Sequence, residues 1–61
     1  MGERIRIEIE TGNAAFDDSP TTEIARILRD LAKRFERDGI PPERLRDING
    51  NTVGTVTIEP A

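Results

Sequence analysis

The 61-residue chain has no cysteine, no histidine, no tryptophan and no tyrosine, and the first two absences each exclude a class of function. Without cysteine there is no disulfide, no thiolate nucleophile and no thiolate metal ligand. Without histidine there is no imidazole base, and zinc would have carboxylates as its only charged ligands. The chain also lacks a Gly-x-Ser-x-Gly elbow, a Ser-x-x-Lys motif and a phosphate-binding glycine loop. We therefore expect no catalytic residues, no metal and no cofactor, and a protein that is not an enzyme.

Length and charge narrow the possibilities further. Residues 1–61 suffice for a single small domain, and a chain of about 60 residues buries only about 60% of the surface that it exposes when unfolded. Such a domain needs efficient packing or a second chain. The net charge of -3 argues against non-specific nucleic-acid binding. No signal-peptide pattern and no apolar run of roughly 20 residues is present, so we expect no membrane association and a cytoplasmic location.

The first and longest elements are clearly patterned. Residues 4–10, "RIRIEIE", alternate isoleucine with charge, which predicts a strand with one buried face. Residues 20–38 carry an apolar stripe at helical spacing. Ser19 is placed to cap this helix and Pro20 suits its first position. Gly39 suits a left-handed end, after which Ile40 could fold back on the helix.

The segment "LRDINGNTVG" predicts a β-hairpin around Asn49 and Gly50. A calcium loop is the alternative, because Asp47, Asn49 and Asn51 alternate oxygen-bearing side chains. However, the sixth loop position is Thr52 instead of glycine, and the twelfth is Ile58 instead of glutamate. The hairpin corner is therefore favoured over a metal site.

The register of this hairpin is left open by the sequence. Leu45 and Ile48 are three residues apart, as are Val53 and Val56, so strict alternation cannot bury all four. Either a bulge at Gly54 or a short turn within "PPERL" would resolve the conflict.

These elements predict an α+β fold of order β-α-β-β, with one amphipathic helix packed on one face of a three-stranded sheet. The helix connects the first strand to strands that could run parallel to it through a right-handed crossover. We expect the first strand to pair with residues 53–58, which makes the last strand central. The expected core is Ile5, Ile7, Ile9, Phe16, Ile24, Ile27, Leu28, Leu31, Phe35, Ile40, Leu45, Val56 and Ile58.

Two charged surfaces are candidates for binding a partner. The first is an acidic strand-and-loop side with an apolar residue beside it, formed by Glu8, Glu10, Phe16, Asp17 and Asp18. For Phe16 itself the favoured role is to fill the end of the core, and a recognition loop is the alternative. The second is a basic helix face, where four side chains fall within roughly 80° of one another opposite the apolar stripe. They are Arg26, Arg29, Lys33 and Arg37. This face is either solvated and laced with ion pairs or able to contact phosphates.

The segments "IRIEIETGNAAF", "EIARILRDLA" and "LRDINGNTVG" together are similar to short uncharacterised proteins of bacteria, their prophages and plasmids. The resemblance carries no assigned activity and implies an accessory gene of a mobile element. Small acidic proteins of that setting often occupy a surface on a host protein, as inhibitors of CRISPR and other defence complexes do. The sequence therefore favours a protein–protein interaction module, an inhibitor or regulator whose partner is a host or phage protein. The alternatives are a nucleic-acid-binding accessory protein that uses the basic helix face, and a structural homodimer.

Overall fold

A computed structural model describes residues 2–39 and 43–61. Along the chain these residues form β1 (Glu3–Ile9), a 3₁₀ helix (Ala14–Phe16), α1 (Pro20–Asp38), β2 (Arg44–Arg46) and β3 (Thr52–Pro60). The three strands form one sheet, and α1 packs on it, which confirms the predicted α+β fold.

The strand order is β1-β3-β2, so the last strand is central, as predicted. Both hydrogen-bonded pairs are antiparallel. Because β1 and β2 each run antiparallel to β3, they point in the same direction and are separated by one strand. The connection through α1 therefore joins two strands of like direction without pairing them, in a split β-α-β arrangement.

The ends of α1 agree with the predicted bounds, but its two caps differ. Gly39 adopts a left-handed φ of 73° and donates its N–H to the Phe35 carbonyl at 2.9 Å, as expected of a glycine cap. Ser19 occupies the N-cap position, yet its hydroxyl bonds the Thr22 hydroxyl at 2.6 Å and makes no bond to a backbone N–H. The predicted side-chain cap is therefore wrong, and the predicted contact of Ile40 lies outside the described residues.

A β-bulge resolves the register conflict near Gly54. Leu45 pairs with Gly54 and Arg46 with Thr52, so Val53 is the extra residue on β3. The bulge lets Val53 and Val56 both reach the core, at 7% and 8% exposure, although they are an odd number of residues apart. The proposed bulge is thus found, whereas Pro41 and Pro42, the first two residues of the alternative turn, lie outside the described residues.

The core is smaller than predicted. Its buried residues are Phe16, Ile27, Leu31, Leu45, Val53 and Val56, with Ile9, Ala15, Ile24 and Phe35 packed against them. Val53 is an addition to the predicted set. The core prediction is wrong for four residues, each of which exposes at least two fifths of its surface: Ile5 50%, Ile7 43%, Leu28 41% and Ile58 42%.

The three isoleucines are exposed because α1 and β2 extend over only part of the sheet. β2 has only three residues and pairs with the beginning of β3. The 19-residue α1 packs against β2 and the 3₁₀ helix. The far end of β3 therefore pairs with β1 alone, as a two-stranded ribbon that α1 leaves largely uncovered.

Candidate functional site

The uncovered ribbon presents isoleucines to solvent. In the register of β1 and β3, Ile5 pairs with Ile58 and Ile7 pairs with Val56. Directly paired residues share a face of the sheet, and Val56 belongs to the core. Ile5, Ile7 and Ile58 therefore lie on the core side of the sheet, beyond the part that is covered. We call these three residues the ribbon face.

The fold forms the ribbon face but leaves its apolar side chains without a covering element among the described residues. Two strands alone are marginally stable in water, and an apolar side gains free energy when something covers it. Covering one isoleucine side chain completely stabilises by about 1.5–3 kcal/mol relative to full exposure. The ribbon face is thus the part of the described structure where an added surface would contribute most to apolar burial.

The opposite side of the ribbon is charged and solvated. Arg6 forms an ion pair with Glu59 at 3.0 Å, and both side chains are about half exposed. Exposed pairs of this kind contribute at most about 1 kcal/mol. Glu8 and Glu10 line a shallow, open groove with Thr52 and Thr55, so the structure does bring these two predicted carboxylates together.

The rest of the predicted acidic surface does not join that groove. Asp17 and Asp18 are exposed after the 3₁₀ helix and do not line the groove. Phe16 is 2% exposed and is the largest fully buried side chain of the described residues. Its side chain fills the core, the other role considered for it, and is not available to a partner in this structure.

Two of the four predicted basic side chains are held by carboxylates on the helix itself. Arg26 donates from Nε to Glu23 at 2.7 Å and from Nη1 to Asp30 at 2.9 Å. Arg37 donates from Nε to Asp38 at 3.1 Å. Within residues 2–39 and 43–61, Arg29 and Lys33 form no ion pair. The face therefore offers fewer unpaired charges to a phosphate backbone than its sequence suggests.

The hairpin corner is built around Asp47, which is only 4% exposed. Its carboxylate accepts four N–H bonds, from the backbone of Asn49 and Asn51 and from the side chains of Asn51 and Asn13, at 2.8–3.2 Å. Gly50, at a φ of 87°, donates to the Asp47 carbonyl at 3.0 Å and closes the turn. The carboxylate oxygens of Asp47, the first residue of the calcium-loop pattern, thus face protein donors, and the segment is a corner.

Glu23 fastens α1 to this corner, a role that the sequence did not reveal. It is 7% exposed and accepts the backbone N–H of Ile48 at 2.8 Å. Arg26, which binds Glu23, also donates to the Arg46 carbonyl at 3.2 Å. These bonds span 25 and 20 residues of sequence, and helical periodicity carries no signal for contacts so distant.

Both buried carboxylates are held in the ionised form. The hydrogen bond from Arg26 and, after it, the bond from Ile48 lower the pKa of Glu23 despite the opposing effect of burial. For Asp47, burial is the largest single influence and raises the pKa, but the bonds from Asn51, Asn13 and Asn49 together outweigh it and lower the pKa. A general acid at neutral pH needs a raised pKa, so neither carboxylate is suited to that role. The bonds that both groups accept join α1 and the loop after β1 to the hairpin corner.

Comparison with known proteins adds no relative. No protein-family model matches the chain, and no curated protein or solved structure is significantly similar to it. In the part of the chain that the structure describes, no helix combines the length and apolarity needed to cross a membrane.

Proposed function

We propose that the protein is a protein–protein interaction module that binds its partner through the ribbon face. The observation that carries this proposal is the exposure of Ile5, Ile7 and Ile58, at 50%, 43% and 42%, on the apolar side of the sheet. Exposed apolar groups gathered on one side of a small domain are typical of a binding surface. The partner expected is a protein with a matching apolar patch, and occupying that patch would make this chain an inhibitor or regulator.

The same geometry favours protein over nucleic acid as the ligand. An apolar strip gains most from another apolar surface, whereas nucleic-acid binding depends chiefly on unpaired positive charge. On α1, Arg26 and Arg37 are already paired with carboxylates. Four basic residues are also spread along the strands, and Arg6 among them is paired with Glu59.

The test is capture of partners from a lysate of the producing organism, with and without nuclease, by three forms of the tagged protein. The first is the native chain. The second carries Ile5→Thr and Ile58→Thr, which remove apolar surface but keep the β-branched shape that strands prefer. The third carries Ile48→Thr, the same change at an isoleucine that is 70% exposed on the hairpin corner, outside the ribbon face.

We expect a nuclease-resistant protein that is retained by the native and Ile48→Thr forms and is lost with the double variant. Equal recovery with all three forms would refute the ribbon face as the binding surface. A parallel charge reversal at Glu8, Glu10, Asp17 and Asp18 asks whether the acidic side contributes. Capture that disappears with nuclease, and with Arg29→Glu and Lys33→Glu, would replace the proposal by nucleic-acid binding.

A further inference from the structure

β1 is an edge strand whose outer backbone groups are unpaired within the described residues. At its two ends, Glu10 donates its N–H to the Val53 carbonyl at 2.7 Å and Ala61 donates to the Gly2 carbonyl at 3.1 Å. In an antiparallel pair, every second residue bonds its neighbour strand and the residues between point their N–H and C=O groups the other way. The even-numbered residues of β1 therefore bond β3, and the outward groups belong to Glu3, Ile5, Ile7 and Ile9.

The structure leaves this edge accessible. Every residue of β1 from Glu3 to Glu8 is exposed. The loop that follows β1 turns towards the far side of the sheet, because Asn13 donates to Asp47 at 2.8 Å. α1 is likewise fastened to the corner beside β2, on the side of the sheet away from β1.

The charges of β1 are complementary to those of a second, antiparallel β1. Arg4 and Arg6 occupy its first half, and Glu8 and Glu10 follow in its second half. When two copies are paired with Ile7 opposite Ile7, Arg4 stands opposite Glu10 and Arg6 stands opposite Glu8. Opposite charges directly across a strand pair are stabilising, and like charges are destabilising. Ile5 stands opposite Ile9 in the same register.

Neighbouring registers fail on charge or on hydrogen bonding. A shift by one residue in the partner places outward groups against groups already bonded to β3. A shift by two residues either way sets Arg6 against Arg6 or Glu8 against Glu8. Only the Ile7-centred register matches the outward Ile5, Ile7 and Ile9 groups with one another and opposes every arginine to a glutamate.

From this match we propose that the protein forms a two-fold symmetric homodimer in which the two β1 edges pair antiparallel about Ile7. The two sheets then become one six-stranded sheet. Closed two-fold pairing also removes the open edge that would otherwise invite uncontrolled association. This inference goes beyond the proposed function, because it concerns the purified chain alone and leaves the ribbon faces of both copies side by side and open to a partner.

The first test uses charge variants of the full chain in analytical ultracentrifugation at low salt over a range of concentrations. The native protein should approach twice its mass of 6.8 kDa as concentration rises. Arg4→Glu with Arg6→Glu, and separately Glu8→Arg with Glu10→Arg, should each weaken dimerisation at least about 10-fold, because each places like charges opposite each other. Mixing these two variants should restore a dimer, since each strand then faces its opposite charge.

A matched control separates strand pairing from general charge attraction. Arg29→Glu with Arg34→Glu changes the net charge by the same amount on the exposed side of α1. This variant should dimerise as the native chain does and should not form a mixed dimer preferentially with the Glu8→Arg, Glu10→Arg form. Circular dichroism of every variant verifies that the fold is retained.

The second test locates the interface by amide hydrogen exchange. The outward N–H groups of Ile5, Ile7 and Ile9 should exchange at least about 10-fold more slowly at dimer-forming concentration than at high dilution. A native protein that stays monomeric at every concentration would overturn the proposal. So would a dimer whose Ile7 amide exchanges as fast as in the monomer. Neither result bears on partner capture by the ribbon face, and loss of capture leaves the dimer intact.

Discussion

At the scale of single residues, Gly54 is the glycine with the least room for a side chain. It pairs with Ile9 on one side and with Leu45 on the other, at the bulge of β3. A Cβ atom at Gly54 would clash with the carbonyl oxygen of Glu8 and lie 3.2 Å from the Ile9 Cα. Because those atoms belong to the backbone, no side-chain rotation can relieve the clash.

We therefore expect Gly54→Ala to lower the free energy of unfolding by at least about 2 kcal/mol, since β1 must move away from β3. Gly12→Ala is the matched control, because a Cβ there would meet nothing within 4 Å and the Gly12 φ is not positive. Its effect should stay within about 0.5 kcal/mol. Urea denaturation measures both, and equal effects of the two substitutions would contradict the tight approach of β1 and β3 at Gly54.

At the scale of elements, the hairpin corner is the joint that attaches α1 to the sheet. Glu23 reaches from the helix to the Ile48 N–H, and Asp47 organises the turn and holds Asn13 of the preceding loop. The two acceptors are ionised carboxylates in nearly buried positions. We therefore expect the attachment of α1 to depend on pH.

The folded protein lowers the pKa of both groups below their ordinary values, 4.5 for Glu23 and 3.8 for Asp47. Carboxylates of this kind stabilise the fold above the ordinary pKa, and the contribution is lost as the pH falls through the lowered value. We expect the urea midpoint to fall steadily as the pH is lowered from 5 to about 3. Asp47→Asn should lower the midpoint at pH 7 and make its decline with acid shallower.

The control for this pH dependence is Asp17→Asn, which removes an exposed carboxylate that accepts no hydrogen bond among the described residues. It should leave both the midpoint and its pH profile close to those of the native chain. If Asp47→Asn kept the native slope between pH 5 and pH 3, Asp47 would not be a source of the acid sensitivity.

At the scale of the whole molecule, the buried core and the proposed binding surface consist of different residues. Leu31 is 4% exposed in the core, whereas Ile5 is 50% exposed on the ribbon face. Truncating a buried leucine loses both its burial and its packing contacts. Replacing a half-exposed isoleucine costs little free energy of unfolding, because about half of its surface is in contact with water in the folded protein.

Leu31→Ala should therefore lower the free energy of unfolding by about 2–5 kcal/mol. Ile5→Thr should lower it by less than about 1 kcal/mol, while weakening the capture of a partner. Denaturation of the purified variants beside the capture assay measures both properties. If Ile5→Thr were as destabilising as Leu31→Ala, the ribbon face would be part of the core in solution.

The sequence by itself determined the three strands, the helix α1 and their order, but not the 3₁₀ helix at Ala14–Phe16. Alternating isoleucines, the apolar helical stripe, Gly39 and the Asn49–Gly50 corner are local patterns, and each reports on contacts within a few residues. The same patterns named the correct face of β1, because alternation specifies the side on which Ile5, Ile7 and Ile9 lie. The expected pairing of the first strand with residues 53–58, which makes β3 central, is also confirmed.

Only the tertiary structure decided how much of that face α1 covers. Alternation does not measure the length of β2 or show where α1 packs on the sheet. The predicted core therefore includes Ile5, Ile7 and Ile58, whereas the observed core ends before them. The Glu23–Ile48 bond and the bulge that buries Val53 depend on the same placement. Local backbone geometry decides which residues share a side of the sheet. Contacts between distant segments decide which of those residues are covered. The candidate site lies where those contacts end.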